Sequence, residues 1–149
     1  MPRSTRSFLF PDVNVWIALT YGGHVHHRTA SKWFDGLADE DSLCFCRFTQ
    51  IGMLRLLTTE AVMGADEVIT QVEAWGAYDR WMEDGRILFV EESPALGDAF
   101  RSFSSETRPH PKDWADAYLA AFATVSGMRL VTFDRGFRRR LHDVVLLSE

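Results

Sequence analysis

Two kinds of apolar run alternate along the chain, and their order predicts most of the fold. The short runs Ser7–Pro11, Leu43–Phe45, Ile87–Val90, Arg129–Thr132 and Val144–Leu147 lack in–out polar alternation. Strands of that kind are buried on both faces, as in a parallel sheet covered by helices. Between them the period changes to that of a helix. Val13, Trp16, Ile17 and Leu19 mark a first helix, ended by Tyr21-Gly22-Gly23. Ala30, Trp33, Phe34 and Leu37 form an i, i+3, i+4, i+7 stripe on a helix from His26 to Ala38, and Gln50, Met53, Leu54 and Leu57 share a face over Thr49–Leu57. A long helix is predicted over Ala65–Met82 and another opens at Pro94. The polar loop Ser104–Pro111 precedes a helix over Lys112–Ser126, capped by Gly127, and a short basic helix covers Arg135–Leu141. Right-handed crossovers then place every strand C-terminus on one edge. The expected architecture is a single α/β domain over residues 1–149, three layers deep, with a central parallel sheet of about five strands and helices on both faces.

Composition narrows this little. A chain of 149 residues with 46% hydrophobic content can bury one core and is short for two. The opening Met1–Arg6 leads into an apolar run broken at once by Pro11 and Asp12, so no signal-peptide pattern is present. No stretch approaches the ~20 apolar residues of a membrane span. Cys44 and Cys46, spaced i, i+2, share one face of a strand and are expected to be reduced, buried thiols of a cytoplasmic protein. The net charge of −5 argues against broad electrostatic capture of nucleic acid, although a bound cation and local arginines can reverse the sign at one place.

Candidate chemistry lies in three aspartates. Asp12 and Asp134 close apolar strands, and Asp116 sits in the first turns of an alanine-rich helix. If the first and fourth strands are neighbours, Asp12 and Asp134 flank the point where strand order reverses, which is where open α/β sheets bind ligands. Carboxylates gathered there repel one another unless a hard divalent cation lies between them. The expected centre is therefore magnesium, or manganese in its place, held by Asp12, Asp116 and Asp134. Such a cation polarises a phosphoryl oxygen, activates water for in-line attack and steadies the leaving 3′ oxygen. Asn14 is spaced to hydrogen-bond Asp12 or the phosphate, and Thr132 to orient Asp134. The alternatives are structural: Asp12 and Asp134 as helix N-caps, Asp116 as a favourable charge in a first turn, and Asn14 and Thr132 in ordinary turn hydrogen bonds.

Asp12-Val13-Asn14 after a strand, Asp116-Ala117-Tyr118-Leu119-Ala120-Ala121 on a helix, and Val131-Thr132-Phe133-Asp134 together resemble the PIN-domain ribonucleases, and among these the VapC-type toxins. The resemblance spans essentially the whole chain in order. It implies a metal-dependent endoribonuclease with a five-stranded parallel sheet and an RNA substrate. It also implies a homodimer held inactive by a cognate small antitoxin that covers the acidic crevice. The family carries a further glutamate after its second strand, and here Gln50 stands in that place. Gln50 is expected to point inward and orient a water or the phosphate; Glu60, about ten positions on, is expected at the surface. The competing reading is a catalytically inactive PIN-like module that binds RNA or protein.

The remaining expectations are peripheral. Arg108, Lys112, Arg135 and the run Arg138-Arg139-Arg140 are candidates for RNA backbone contact, and Trp114 for base stacking. His24, His26 and His27 read as helix-entry and surface residues, with His27 placed to approach the crevice. Phe48, Met53, Leu56, Leu57, Val62 and Met63 offer more apolar surface than one face can bury, so a second copy is expected to meet the segment Thr49–Met82.

Overall fold

In the computed structural model, which describes residues 7–148, the chain runs β1 (Phe8–Pro11), α1 (Val13–Thr20), α2 (His27–Asp35), β2 (Ser42–Phe45), α3 (Arg47–Leu57), α4 (Glu60–Met63) and α5 (Gln71–Met82). It continues through β3 (Ile87–Phe89), α6 (Leu96–Phe103), α7 (Asp113–Ser126), β4 (Arg129–Thr132), a 3-10 helix (Arg135–Arg139) and β5 (Val144–Leu146). The strands form one sheet in the order β3-β2-β1-β4-β5, every neighbouring pair parallel.

Strand alternation sorts the core into two halves. Leu9, Leu43, Phe45, Ile87 and Val131 point to the face covered by α1, α3 and α5. Phe10, Cys44, Cys46 and Leu130 point to the other face, against Leu119 and Phe122 of α7 and Leu96 of α6. Both faces are dry, which is why these strands read as continuous apolar runs. Trp16 of α1 lies flat on Phe45 with ring centroids 3.8 Å apart, and Phe10 stacks on Phe122 at 5.1 Å. Truncating either member of such a fully buried pair costs about 3–5 kcal/mol. Cys44 and Cys46 are buried thiols on one sheet face, as their spacing requires.

Local chemistry moves two boundaries. The helix expected from Ala65 starts only at Gln71, because Thr70 and Glu73 form a capping box: the Thr70 hydroxyl accepts from Glu73 N–H (3.2 Å), and the Glu73 carboxylate accepts from Thr70 N–H (3.1 Å). Upstream, the one-turn α4 stops at Gly64, whose φ of 85° is left-handed backbone. The expected basic helix is a 3-10 turn instead, begun by Asp134, whose side chain accepts from Gly136 N–H at 2.7 Å. The apolar crowd near β2 proves mostly core. Met53, Leu57 and Met63 are buried, Leu56 is half-buried, and Phe48 and Val62 remain exposed. Among the described residues, no helix is long and apolar enough to cross a membrane.

Candidate active site

Strand order reverses between β1 and β4, and the C-terminal ends of these two strands are tied together. Asp12 N–H donates to the Val131 carbonyl at 3.0 Å. Both oxygens of the Asp12 carboxylate are engaged: Oδ1 caps α1 by accepting from Val15 N–H (3.1 Å), and Oδ2 accepts from the Thr132 hydroxyl. The same hydroxyl accepts from Asp134 N–H at 3.0 Å, so Thr132 links the two aspartates. Burial pushes the Asp12 carboxyl up from 3.8 to about 6, against the opposing hydrogen bonds from Thr132 and the backbone, and the charge of Asp116 adds to the rise. Asp116, half-buried in the first turn of α7, is also pushed up, by burial and then by the charge of Asp134. The three carboxylates thus act on one another through Asp116.

Asp12, Asn14 and Asp116 line a cleft of about 540 Å³ whose far wall is α3. Phe48, Gly52 and Arg55, at i, i+4 and i+7, form the stripe that faces it. Gly52 is needed there, because a Cβ would stand 2.5 Å from a Val13 methyl. The residue two before it, rotated about 200° around the helix, faces the other way. Gln50 accordingly lies in the core beside Tyr78, its Oε1 accepting from the Arg47 guanidinium at 2.6 Å. It is inward-pointing as expected, but inward toward the core and not toward the crevice. Glu60 is exposed at the start of α4.

On the other side of Asp116 a second cavity, about 520 Å³, is lined by Arg108, His110, Glu106 and Arg139. One edge of it is fixed by Arg140, which donates to the Phe103 carbonyl at the end of α6 (2.8 Å) and to the buried Asp113 carboxylate at the start of α7. Oxygens of Glu106 and Asp113 and a ring nitrogen of His110 lie within 4.8 Å of one another, but Arg140 already neutralises Asp113. Arg140 is therefore a half-buried structural cation, not the free RNA contact expected from the run Arg138-Arg139-Arg140.

Residues 9–141 match the PIN domain family. Ribonuclease VapC41 of Mycobacterium tuberculosis is 44% identical over 132 residues, covering 87% of this chain and 90% of that protein. The chain belongs to the VapC group of the PIN-domain family. Ribonuclease VapC29 of the same organism is 28% identical over 138 residues, covering 91% and 92% of the two chains. Solved structures share the fold at lower identity. The crystal structure of VapC20 from Mycobacterium tuberculosis, a toxin that cleaves the sarcin–ricin loop, superposes with a TM-score of 0.68 at 15% identity over 94% of this chain and 99% of that one. The structure of VapBC2 from Rickettsia felis, bound to a DNA fragment from its promoter, gives 0.66 at 11% identity over 92% and 96%.

Within this PIN domain the other sequence candidates are scattered. Lys112 is the exposed residue before α7, and Arg135 is exposed in the 3-10 helix; neither lines the two cavities. Trp114 is 58% exposed and, among the rings of the described residues, meets the edge of Phe100 (6.2 Å). Of the three histidines before and at the start of α2, His26 is the one toward the acid site, stacking on Phe133 next to Asp134 (4.5 Å). His27 is instead bonded to the Ala18 carbonyl at 2.7 Å. Sequence reasoning missed Asp113, Arg55 and Gly52. Of these only Gly52 carried a signal, since a glycine inside a helical pattern marks close approach.

Proposed function

We propose that this PIN domain is a magnesium- or manganese-dependent endoribonuclease and the toxin of a toxin–antitoxin pair. The observation that carries the reading is the state of Asp12: a buried carboxyl raised by burial and by Asp116, with no lysine or arginine paired to it among the described residues. Three carboxylates, a hydroxyl and an amide make a hard, all-oxygen donor set, and a divalent cation would balance their charge. Asp12, Asp116 and Asp134 are the residues that would hold it. Bound there, the ion would supply Lewis acidity to a phosphodiester and a nucleophile at neutral pH. The chain's own groups do the rest. Thr132 holds the Asp12 carboxylate in one orientation and ties it to the Asp134 backbone. Asn14 reaches the same cleft, where its amide can donate to a phosphate oxygen. Arg108 and Arg139, across Asp116, take the neighbouring phosphates, with Lys112, Arg135 and Trp114 at the outer rim.

The relatives named above are ribonucleases and VapBC assemblies, which supports a cytoplasmic toxin whose small antitoxin covers the cleft. Exposed Val72 and Trp75 on α5 lie outside the cleft and are apolar surface left for a second copy, which supports the homodimer. One observation favours the second reading, a non-cutting binding module: the α3 wall of the cleft carries no carboxylate. Total bacterial RNA incubated with the purified protein in magnesium, in manganese and in EDTA, followed by end mapping, separates the two. Defined cuts that need the metal and vanish in Asp116→Asn are expected. Absence of cutting in both metals would leave the binding module as the better account.

A further inference from the structure

Opposite Asp12 and Asp116, the cleft wall carries an arginine. Arg55 stands one turn beyond Gly52 on the stripe that faces the two aspartates. The Gly52–Val13 contact sets how close α3 approaches α1, so the backbone itself fixes the distance of this stripe from Asp12. Two hydroxyls hold the last turn of the helix: Thr59 donates to the Arg55 carbonyl at 2.5 Å and Thr58 at 3.1 Å. Four guanidiniums elsewhere are already engaged. Arg140 pairs with Asp113, Arg86 with Asp84, Arg129 with Asp143, and Arg47 donates to Gln50. Arg55 forms no ion pair among the described residues, is exposed, and lines both this cleft and the groove between α3 and α5. The acids and the arginine thus face each other across a space without neutralising each other, between the apolar side chains of Ile51 and Leu56.

A phosphodiester held there meets both kinds of partner it requires: cation-bearing acids on one side and a forked donor on the other. We propose that Arg55 is a catalytic residue, its guanidinium binding a non-bridging oxygen of the scissile phosphate across the cleft from Asp12 and Asp116. The proposal rests on the nuclease reading and adds to it the group that takes the place of an acid on α3.

The test uses the full chain and an oligoribonucleotide spanning a site that the wild-type protein cuts. Wild type, Arg55→Ala and Arg55→Lys are compared in steady-state cleavage with magnesium, in RNA binding in EDTA over a salt series, and in mass by light scattering. Arg55→Ala should lower kcat/KM by about 100-fold, as loss of one transition-state donor does, and Arg55→Lys should recover part of it. Metal-free binding should lose about 0.7 from the slope of log K against log salt, the value for one phosphate contact on a single strand. Unchanged kcat/KM and slope would overturn the proposal. So would lost activity that follows a changed mass while the slope stays put, because Arg55 would then serve assembly. Failure of the nuclease reading shows differently, as a wild-type protein that cuts no RNA in either metal.

Discussion

Asp12→Asn should make the metal-free protein more stable at alkaline pH while abolishing cleavage. In the folded chain the Asp12 carboxyl is held near 6, whereas in the unfolded chain it titrates near 3.8. Between these values the folded state binds the extra proton, so stability falls as pH rises through the window from about 4 to 6. Above it a constant penalty remains, about 3 kcal/mol at ~1.4 kcal/mol per pKa unit. Asparagine carries no charge and escapes the penalty. It also keeps the local bonds: its carbonyl can accept from Val15 N–H, its amide can donate to the Thr132 hydroxyl, and asparagine caps helices as well as aspartate. Urea denaturation in EDTA should therefore place the variant up to about 3 kcal/mol above wild type at pH 8, or roughly 9 °C in Tm for a domain of this size. The gap should close toward pH 4. Manganese at pH 8 should raise the wild type and leave the variant alone. A variant less stable than wild type at pH 8 in EDTA, or a gap indifferent to pH, would refute the claim that Asp12 carries an unbalanced buried charge.

Three further outcomes follow from particular contacts. Thr132→Val removes the hydroxyl between Asp12 and Asp134 at nearly constant volume. It should weaken manganese binding about 10- to 100-fold by calorimetry, and an unchanged affinity would dismiss its positioning role. Gly52→Ala drives a methyl into Val13. It should destabilise by about 1–2 kcal/mol despite alanine's better helix propensity, and Val13→Ala in the same chain should restore most of the loss; a stabilised single variant would show that α3 moves freely. Arg140→Met leaves Asp113 buried without its cation. It should cost about 3 kcal/mol or more in urea, and replacing both residues by Met and Leu should recover much of it.

The sheet was legible because a strand dry on both faces leaves no polar alternation. Placing Asp12 and Asp134 at the reversal point was conditional on β1 and β4 being neighbours, and their parallel pairing meets that condition. The start of α5 was not read, although Thr70-x-x-Glu73 spells a capping box, because the apolar spacing from Val68 onward continues smoothly across it. Gln50 failed for a deeper reason. Helical periodicity says which residues share a face, and Gln50 does share one with Met53 and Leu57. It cannot say whether that face meets the core or the crevice when both are enclosed. Nor can a run of three arginines reveal that its third member alone turns inward, since Asp113, which draws it there, lies 27 residues away.

The order of the chain gives the Thr132 and Arg140 contacts a meaning in time. Synthesis runs from the N-terminus, so Asp12 is made early, but its hydroxyl partner Thr132 arrives 120 residues later. Arg140, which anchors the start of the Asp116 helix, arrives later still. β1, the central strand, likewise lacks its second neighbour until Arg129–Thr132 exists. Until Thr132 and Arg140 have been made, a ribosome therefore carries a chain whose acid cluster is unassembled. A cutter of RNA built in this order gains its site only after both of those late contacts exist.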